Sequence, residues 1–204
     1  MIYFTSDTHF HHAKVIDYCN RPFANVDEMN EALIKNWNDR VKRWDIVYHL
    51  GDFCFGNKQK IKEVLDRLNG NIFLIEGNHD RNLSTEIKQR FGWIKPYYEL
   101  KHEGQHLVLC HYPFASWNGS HHGWIHLHGH SHGSTKNHGN FKRLDVGVDC
   151  HNYAPISFDE VLDLMYNKDL LNHHDENTYS YNVTYYNSET NEEHPKSTKT
   201  CTPS

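Results

Sequence analysis

Five short apolar runs in this chain each end in a cluster of Asp, Asn or His, and that repeated arrangement restricts the fold more than any other feature. The runs cover residues 2–6, 46–50, 71–75, 105–110 and 123–127. At or just behind their ends stand Asp7-Thr8-His9, Gly51-Asp52, Gly77-Asn78-His79-Asp80, Cys110-His111 and Gly129-His130-Ser131-His132. Apolar runs of this length, bounded by turn residues, read as buried strands. In α/β sheets the C-terminal strand ends are where ligand sites form. Residues i and i+2 of an extended segment point the same way. Asp7 with His9, and His130 with His132, are therefore expected to converge as pairs on extended backbone.

Helical patterns separate the first three runs. Residues 25–44 place Met29, Leu33, Trp37 and Val41 on one stripe, with Asn25 and Glu28 at capping-box spacing. Residues 58–69 put Ile61, Val64, Leu65 and Leu68 on one face, and Gly70 suits a helix stop. A short helix is predicted over 84–91, before Gly92. After Pro96 the texture changes. Residues 97–100, 105–110, 123–127 and 143–148 read as strands. A second capping box, Ser157 with Glu160, precedes a helix striped by Phe158, Val161, Leu162 and Met165. The order β-α-β-α-β followed by strands and a late helix predicts an α/β fold, with parallel strands in one sheet, antiparallel strands in another, and helices outside. The domain is expected over 1–167. Residues 168–204 form a polar extension, in which 179–185 alternates like a strand and 192–204 is expected to lack order.

Composition narrows the function. A chain of 204 residues suits one ordinary domain. Its formal net charge of -5 argues against strong nucleic-acid binding. Met1 leads straight into Ile2-Tyr3-Phe4, without the pattern of a secretory signal, and no run approaches the ~18 apolar residues of a membrane span. The 5 cysteines are scattered, with no C-x-x-C pair, and read as reduced thiols of a cytoplasmic protein. Histidine is abundant, at 19 residues, which points to ligand or acid–base work.

The clusters combine carboxylate, amide oxygen and imidazole, without thiolate. Such donors suit Mn, Fe or Zn better than a structural, cysteine-rich zinc site. A carboxylate such as Asp52 can bridge two ions. Two ions ~3.5–4 Å apart stabilise the attacking and leaving oxygens of a displacement at phosphorus and make hydroxide available near neutral pH. No protein nucleophile is then required.

Asp-x-His, Gly-Asp, Gly-Asn-His-Asp, His and Gly-His-x-His, in that order from Asp7 to His132, resemble the motif set of the calcineurin-like metallophosphoesterases. The order of strands and helices supports the resemblance to about residue 167. Asp7-Thr-His-Phe and Tyr18-Cys-Asn-Arg-Pro-Phe look like the small prokaryotic and phage-type members. The resemblance implies a two-sheet β sandwich flanked by helices and a dinuclear, metal-dependent phosphodiesterase or phosphatase. Two divalent ions are implied, Mn first, with Fe, Zn or Ni as alternatives. Asp7, His9 and His132 would hold one ion, Asn78, His111 and His130 the other, and Asp52 would bridge them. His79 would bind the phosphate and protonate the leaving oxygen, with Asp80 orienting it from behind. Cys110 stands where many relatives have Gly, which would set a thiol beside the site. A small phosphoester or nucleotide is the implied substrate, and diesters are expected to react at least as well as monoesters.

The remaining candidates have two readings each. His11, His12, Arg21 and Arg81 either contact a substrate phosphate or lie in solvated loops. Trp117 either stacks on a base or packs. His126 and His128 alternate with Ile125 and Leu127, which places them on one sheet face rather than at a metal, and His121 and His122 merely flank the last motif. Two other functions compete. A non-catalytic scaffold binding a protein partner would be marked by loss of a ligand or of His79. Against a single-metal hydrolase stand Asp52 and Asn78.

Overall fold

The computed structural model describes all residues except 82, 136–140, 172–179, 188–191 and 201–204. It divides into two units, Met1–Leu171 and Asn172–Ser204. In chain order the first contains β1 (Ile2–Thr5), α1 (Lys14–Tyr18), α2 (Val26–Arg40), β2 (Ile46–His49), α3 (Lys58–Arg67), β3 (Asn71–Ile75), α4 (Thr85–Lys88) and β4 (Ile94–Lys95). It continues with β5 (Tyr97–His102), β6 (Gln105–Cys110), β7 (Ile125–His128), β8 (Arg143–Asp145), β9 (Ile156–Ser157) and α5 (Phe158–Met165). No described helix is long and apolar enough to cross a membrane.

Two mixed sheets form, in the orders β4-β3-β2-β1-β9 and β5-β6-β7-β8. In the first, β1 to β4 run parallel and β9 is antiparallel to β1. The second departs from the antiparallel sheet expected from sequence. Only β5 and β6 form an antiparallel hairpin, and β6, β7 and β8 are parallel. The reason is connection length. Residues 111–124 and 129–142 are long enough for the crossovers that parallel pairing requires, whereas Glu103 and Gly104 allow only a tight turn.

Strand periodicity explains the packing. Tyr3, Val47, Ile72 and Leu74 face one core, which Leu33, Trp37, Ile61 and Leu65 of α2 and α3 complete. Phe4, Tyr48 and Ile75, on the alternate face, join Leu107, Leu109, Ile125 and Leu127 of the second sheet and Val161 of α5 in the other core. A two-sided apolar strand is what a sheet covered on both faces needs.

The helix ends are set by side chains. Asn25 accepts from the amides of Asp27 and Glu28, but Glu28 turns to the amide of Ala24 instead of closing the expected box. Ser157 and Glu160 do form a full capping box. Helix α2 stops at Arg40, short of the predicted Trp44. Val41 leaves helical geometry there, and Asp45 ties the following turn by accepting from Lys42 N at 2.7 Å and from the N-terminal ammonium at 2.6 Å. Periodicity did not reveal α1, β4 or β9, which are too short to establish a period.

In the second unit β10 (Ser180–Asn187) pairs antiparallel with β11 (Glu192–Thr200). Strand β11 occupies most of the segment expected to lack order, because a backbone ladder can form without an apolar pattern. Tyr179 and residues 201–204 lie outside the described residues.

Candidate metal centre

The loops behind β1, β2 and β7 leave their strands by left-handed turns. Asp7, His9 and His11 have φ of 55°, 48° and 63°, Asp52 has 57°, and His130 and His132 have 67° and 47°. This region is uncommon for residues with a Cβ, and its cost is met by surrounding structure. Asp7 with His9 and His130 with His132 thus meet because alternate residues turn left-handed, not because an extended pleat aligns them. Loop 129–130 also passes directly over Asp7. A Cβ on Gly129 would strike Ser6 Oγ and Asp7 Oδ2, and His130 N donates to Asp7 Oδ2 at 2.9 Å. The two sheets are sewn together beside this point, where Ser6 bridges to Gly147.

Asp52 lies at the middle of the cluster. Its Oδ1 accepts from His79 N at 3.0 Å. Its Oδ2 lies 3.6 Å from His9 Nε2 and 3.7 Å from His111 Nε2. On one side, Asp7 Oδ1 is 4.0 Å from both His9 Nε2 and His132 Nε2. On the other, Asn78 Oδ1 is 3.0 Å from His111 Nε2 and 3.1 Å from His130 Nδ1. All seven residues proposed from sequence therefore converge.

Buried partners orient the imidazoles. His111 Nδ1 lies 2.7 Å from Leu50 O, to which it donates, and this turns Nε2 toward Asn78 Oδ1 and Asp52. His132 Nδ1 is 2.7 Å from Asp149 Oδ2. Burial opposes charge on both members of this pair, but their hydrogen bond raises the pKa of His132 and, together with Arg21, lowers that of Asp149. Sequence reasoning missed Asp149. Its signal was a place shortly after another strand, with His151 two residues on at the same Asp-x-His spacing as Asp7 and His9.

Two other expectations change and a third is narrowed. Arg21 does not face a substrate. Its guanidinium is fully buried, makes two bonds of 2.8 Å to Asp149, and donates to the backbone oxygens of Asp7 and Thr8 at 2.7 and 3.1 Å. Asp80 does not stand behind the ring of His79. Its carboxylate accepts from the amides of Asp52, Phe53 and Gly77 at 2.7, 3.0 and 2.9 Å, which clamps the β2 loop to the β3 loop. Cys110 does place a free thiol next to His111, but the thiol is buried at the end of β6, where the strand register sets Cys110 opposite Tyr97, and burial pushes its pKa up.

The loop residues separate clearly. His11 bonds to Asn30 of α2 through its backbone and its ring. His12 stacks on Phe55 with ring centroids 4.0 Å apart and faces the cluster. Arg81 is exposed. His126 and His128 are buried on the outer face of the second sheet, as their alternation suggested. Trp117 packs, donating to Trp124 O at 2.8 Å.

A family model described as calcineurin-like phosphoesterase matches residues 1–197. The chain belongs to the calcineurin-like phosphoesterases. An uncharacterized protein of Methanocaldococcus jannaschii is 42% identical over 171 residues, covering 80% of this chain and 90% of that protein. The Gene 66 protein of Mycobacterium phage D29 is 30% identical, covering 80% of this chain and 95% of its own length. A solved structure of a protein of unknown function from Aquifex aeolicus shares the fold, with TM-score 0.64, 26% identity, and coverage of 81% of this chain and 99% of that one. This phosphoesterase is thus a metal-dependent hydrolase of phosphoesters.

Its residues fit divalent ions. The donor atoms of Asp7, His9 and His132 all lie within 4.8 Å of one another, as do those of Asp7, Asp52 and His111. Donors sharing an ion at ~2.0–2.2 Å are roughly 3–4 Å apart. Burial pushes the Asp7 carboxyl up to about 7, which marks a carboxylate in need of positive charge. Arg21 is committed to Asp149 and to backbone oxygens, so a bound cation is the fitting counter-charge for Asp7 and Asp52.

Proposed function

We propose that this phosphoesterase hydrolyses small phosphodiesters and monoesters with two divalent ions, Mn foremost. Asp7, His9 and His132 would hold one, Asn78, His111 and His130 the other, and Asp52 both. The observation that carries this reading is the placement of Asp52 Oδ2 between His9 Nε2 at 3.6 Å and His111 Nε2 at 3.7 Å. When bound, the ions supply charge stabilisation at phosphorus and a water of lowered pKa. The chain's own contributions are positional. The His79 amide anchors Asp52 Oδ1 and thereby aims Oδ2 at the centre. Asp80 holds the two loops that carry Asp52 and Asn78. Asp149 and Leu50 O orient His132 and His111, the outer support that metal-binding imidazoles need. His79 would donate a proton to the departing oxygen.

Purified protein loaded with Mn, Ni, Zn or Mg should bind close to two equivalents and hydrolyse p-nitrophenyl diesters at least as fast as p-nitrophenyl phosphate. Asp52→Asn is expected to lose metal and activity together. A ceiling of one equivalent in folded, saturated protein, or full activity in Asp52→Asn, would overturn the two-ion reading.

A further inference from the structure

The metal-binding cluster forms the floor of a cleft of about 730 Å³, and one wall of that cleft is aromatic. His12 lies flat on Phe55, with centroids 4.0 Å apart and planes 12° from parallel. Phe55 in turn touches the His79 ring at 4.5 Å. Tyr18, on α1, meets His12 edge-on at 6.4 Å. Tyr18 is 70% exposed although it carries a large ring, and it lines the cleft. The wall therefore runs from open solvent to the side chain proposed to protonate the leaving oxygen. Among the described residues no lysine or arginine lines the cleft.

We infer that the Tyr18–His12–Phe55 wall is a stacking platform for the planar base of a nucleotide whose phosphoryl group sits over the metal cluster. The inference rests on the phosphoester reading above and deepens it to a substrate class. A flat heteroaromatic ring matches a wall of rings, because stacking is sequence-tolerant and needs only a π-face. Among the described residues that line the cleft none is a lysine or arginine, which favours a single phosphoryl group over a polyphosphate with its extra charges. Tyr18 has the open face that the base would cover, whereas Phe55 already supports His12 and His79.

Two ligand pairs isolate the base. In equilibrium binding to metal-loaded protein, with phosphate release followed in the same samples, AMP is compared with ribose 5-phosphate. In turnover, adenosine 5′-methyl phosphate is compared with ribose 5-methyl phosphate, which has the same scissile bonds. One stacked base should favour the adenosine member about 10-fold to 100-fold in Kd and in kcat/KM. Tyr18→Ala should reduce that ratio several-fold while the ribose ligands bind and react as before, and Tyr18→Phe should restore it. Equal affinity for AMP and ribose 5-phosphate in the wild type, or a ratio untouched by Tyr18→Ala, would overturn the platform. If AMP keeps its Tyr18-dependent advantage but no ester is cleaved with any metal, the platform stands and the hydrolase reading fails. If both diesters turn over without an adenosine advantage, the hydrolase reading stands and the platform fails.

Discussion

His79 shows how much the chemistry of one side chain depends on its surroundings. It is 41% exposed, with Nε2 3.9 Å from Asp52 Oδ2, and its ring leans on Phe55. Asp80, its neighbour in sequence, is fully engaged by three backbone amides, so Phe55 and the backbone bond to Asp52 position the ring. A proton donor at this place gives a specific expectation. His79→Asn should slow hydrolysis of a ribose or alkyl ester by ~10²–10⁴-fold, slow a p-nitrophenyl ester much less, and leave metal content unchanged. Steady-state rates on both esters, with metal analysis of each sample, test it. Equal losses on the two leaving groups would assign His79 to phosphate binding instead. Adjacency in the chain drew attention to Asp80, but it carries no information on where a carboxylate turns. The opposite limit is seen at Asp149 and Arg21, which are 128 residues apart in sequence yet bonded at 2.8 Å.

At the scale of elements, the loops after the parallel strands determine whether the donors meet. The run from Cys110 to Gly129 can be read as strand, loop and strand, but the close approach of Gly129 to Ser6 and Asp7 exists only once the two sheets pack. Gly129→Ala should therefore force the β7 loop away from Asp7, costing about 1–3 kcal/mol by overpacking and lowering metal affinity. Gly104→Ala is the control. A Cβ there meets nothing within 4 Å, although its φ of +78 adds strain, so stability should fall without a change in metal affinity. Denaturant unfolding and metal titration of both variants check this, and wild-type metal affinity in Gly129→Ala would refute it. Long amphipathic helices were legible because their period repeats several times. The parallel pairing of β6, β7 and β8 was not, since composition does not distinguish a hairpin strand from a crossover strand.

For the molecule as a whole, buried histidines make folding sensitive to acid. Burial pushes His49 and His126 down to about 3 from the ordinary 6.5. Both stay neutral in the folded chain while the unfolded chain takes up protons. Their contribution is intact above pH 6.5 and is lost as pH falls from there toward 3. His126→Gln removes one such group, so the loss of stability per pH unit between roughly pH 6 and 4 should shrink by about 1 kcal/mol. Urea unfolding at stepped pH, in chelator to keep metal out, measures the slope, and an unchanged slope would show that His126 is not held neutral by burial. His126 also holds the 111–124 connection against the second sheet, with Nε2 3.0 Å from Phe114 N.

What the sequence determined by itself was local and ordered: apolar runs that must be strands, two long helical faces, and five polar clusters in a series that marks the family. Each follows from short-range periodicity or from motif order along the chain. The tertiary structure alone decided the rest. It turned alternate residues left-handed so that the Asp and His pairs meet, took Asp80 for the backbone and Arg21 for Asp149, and put Tyr18, His12 and Phe55 on one wall. These outcomes depend on which groups become neighbours when two sheets close on each other, and a buried charge or amide must find its partner there, however far away that partner lies in sequence.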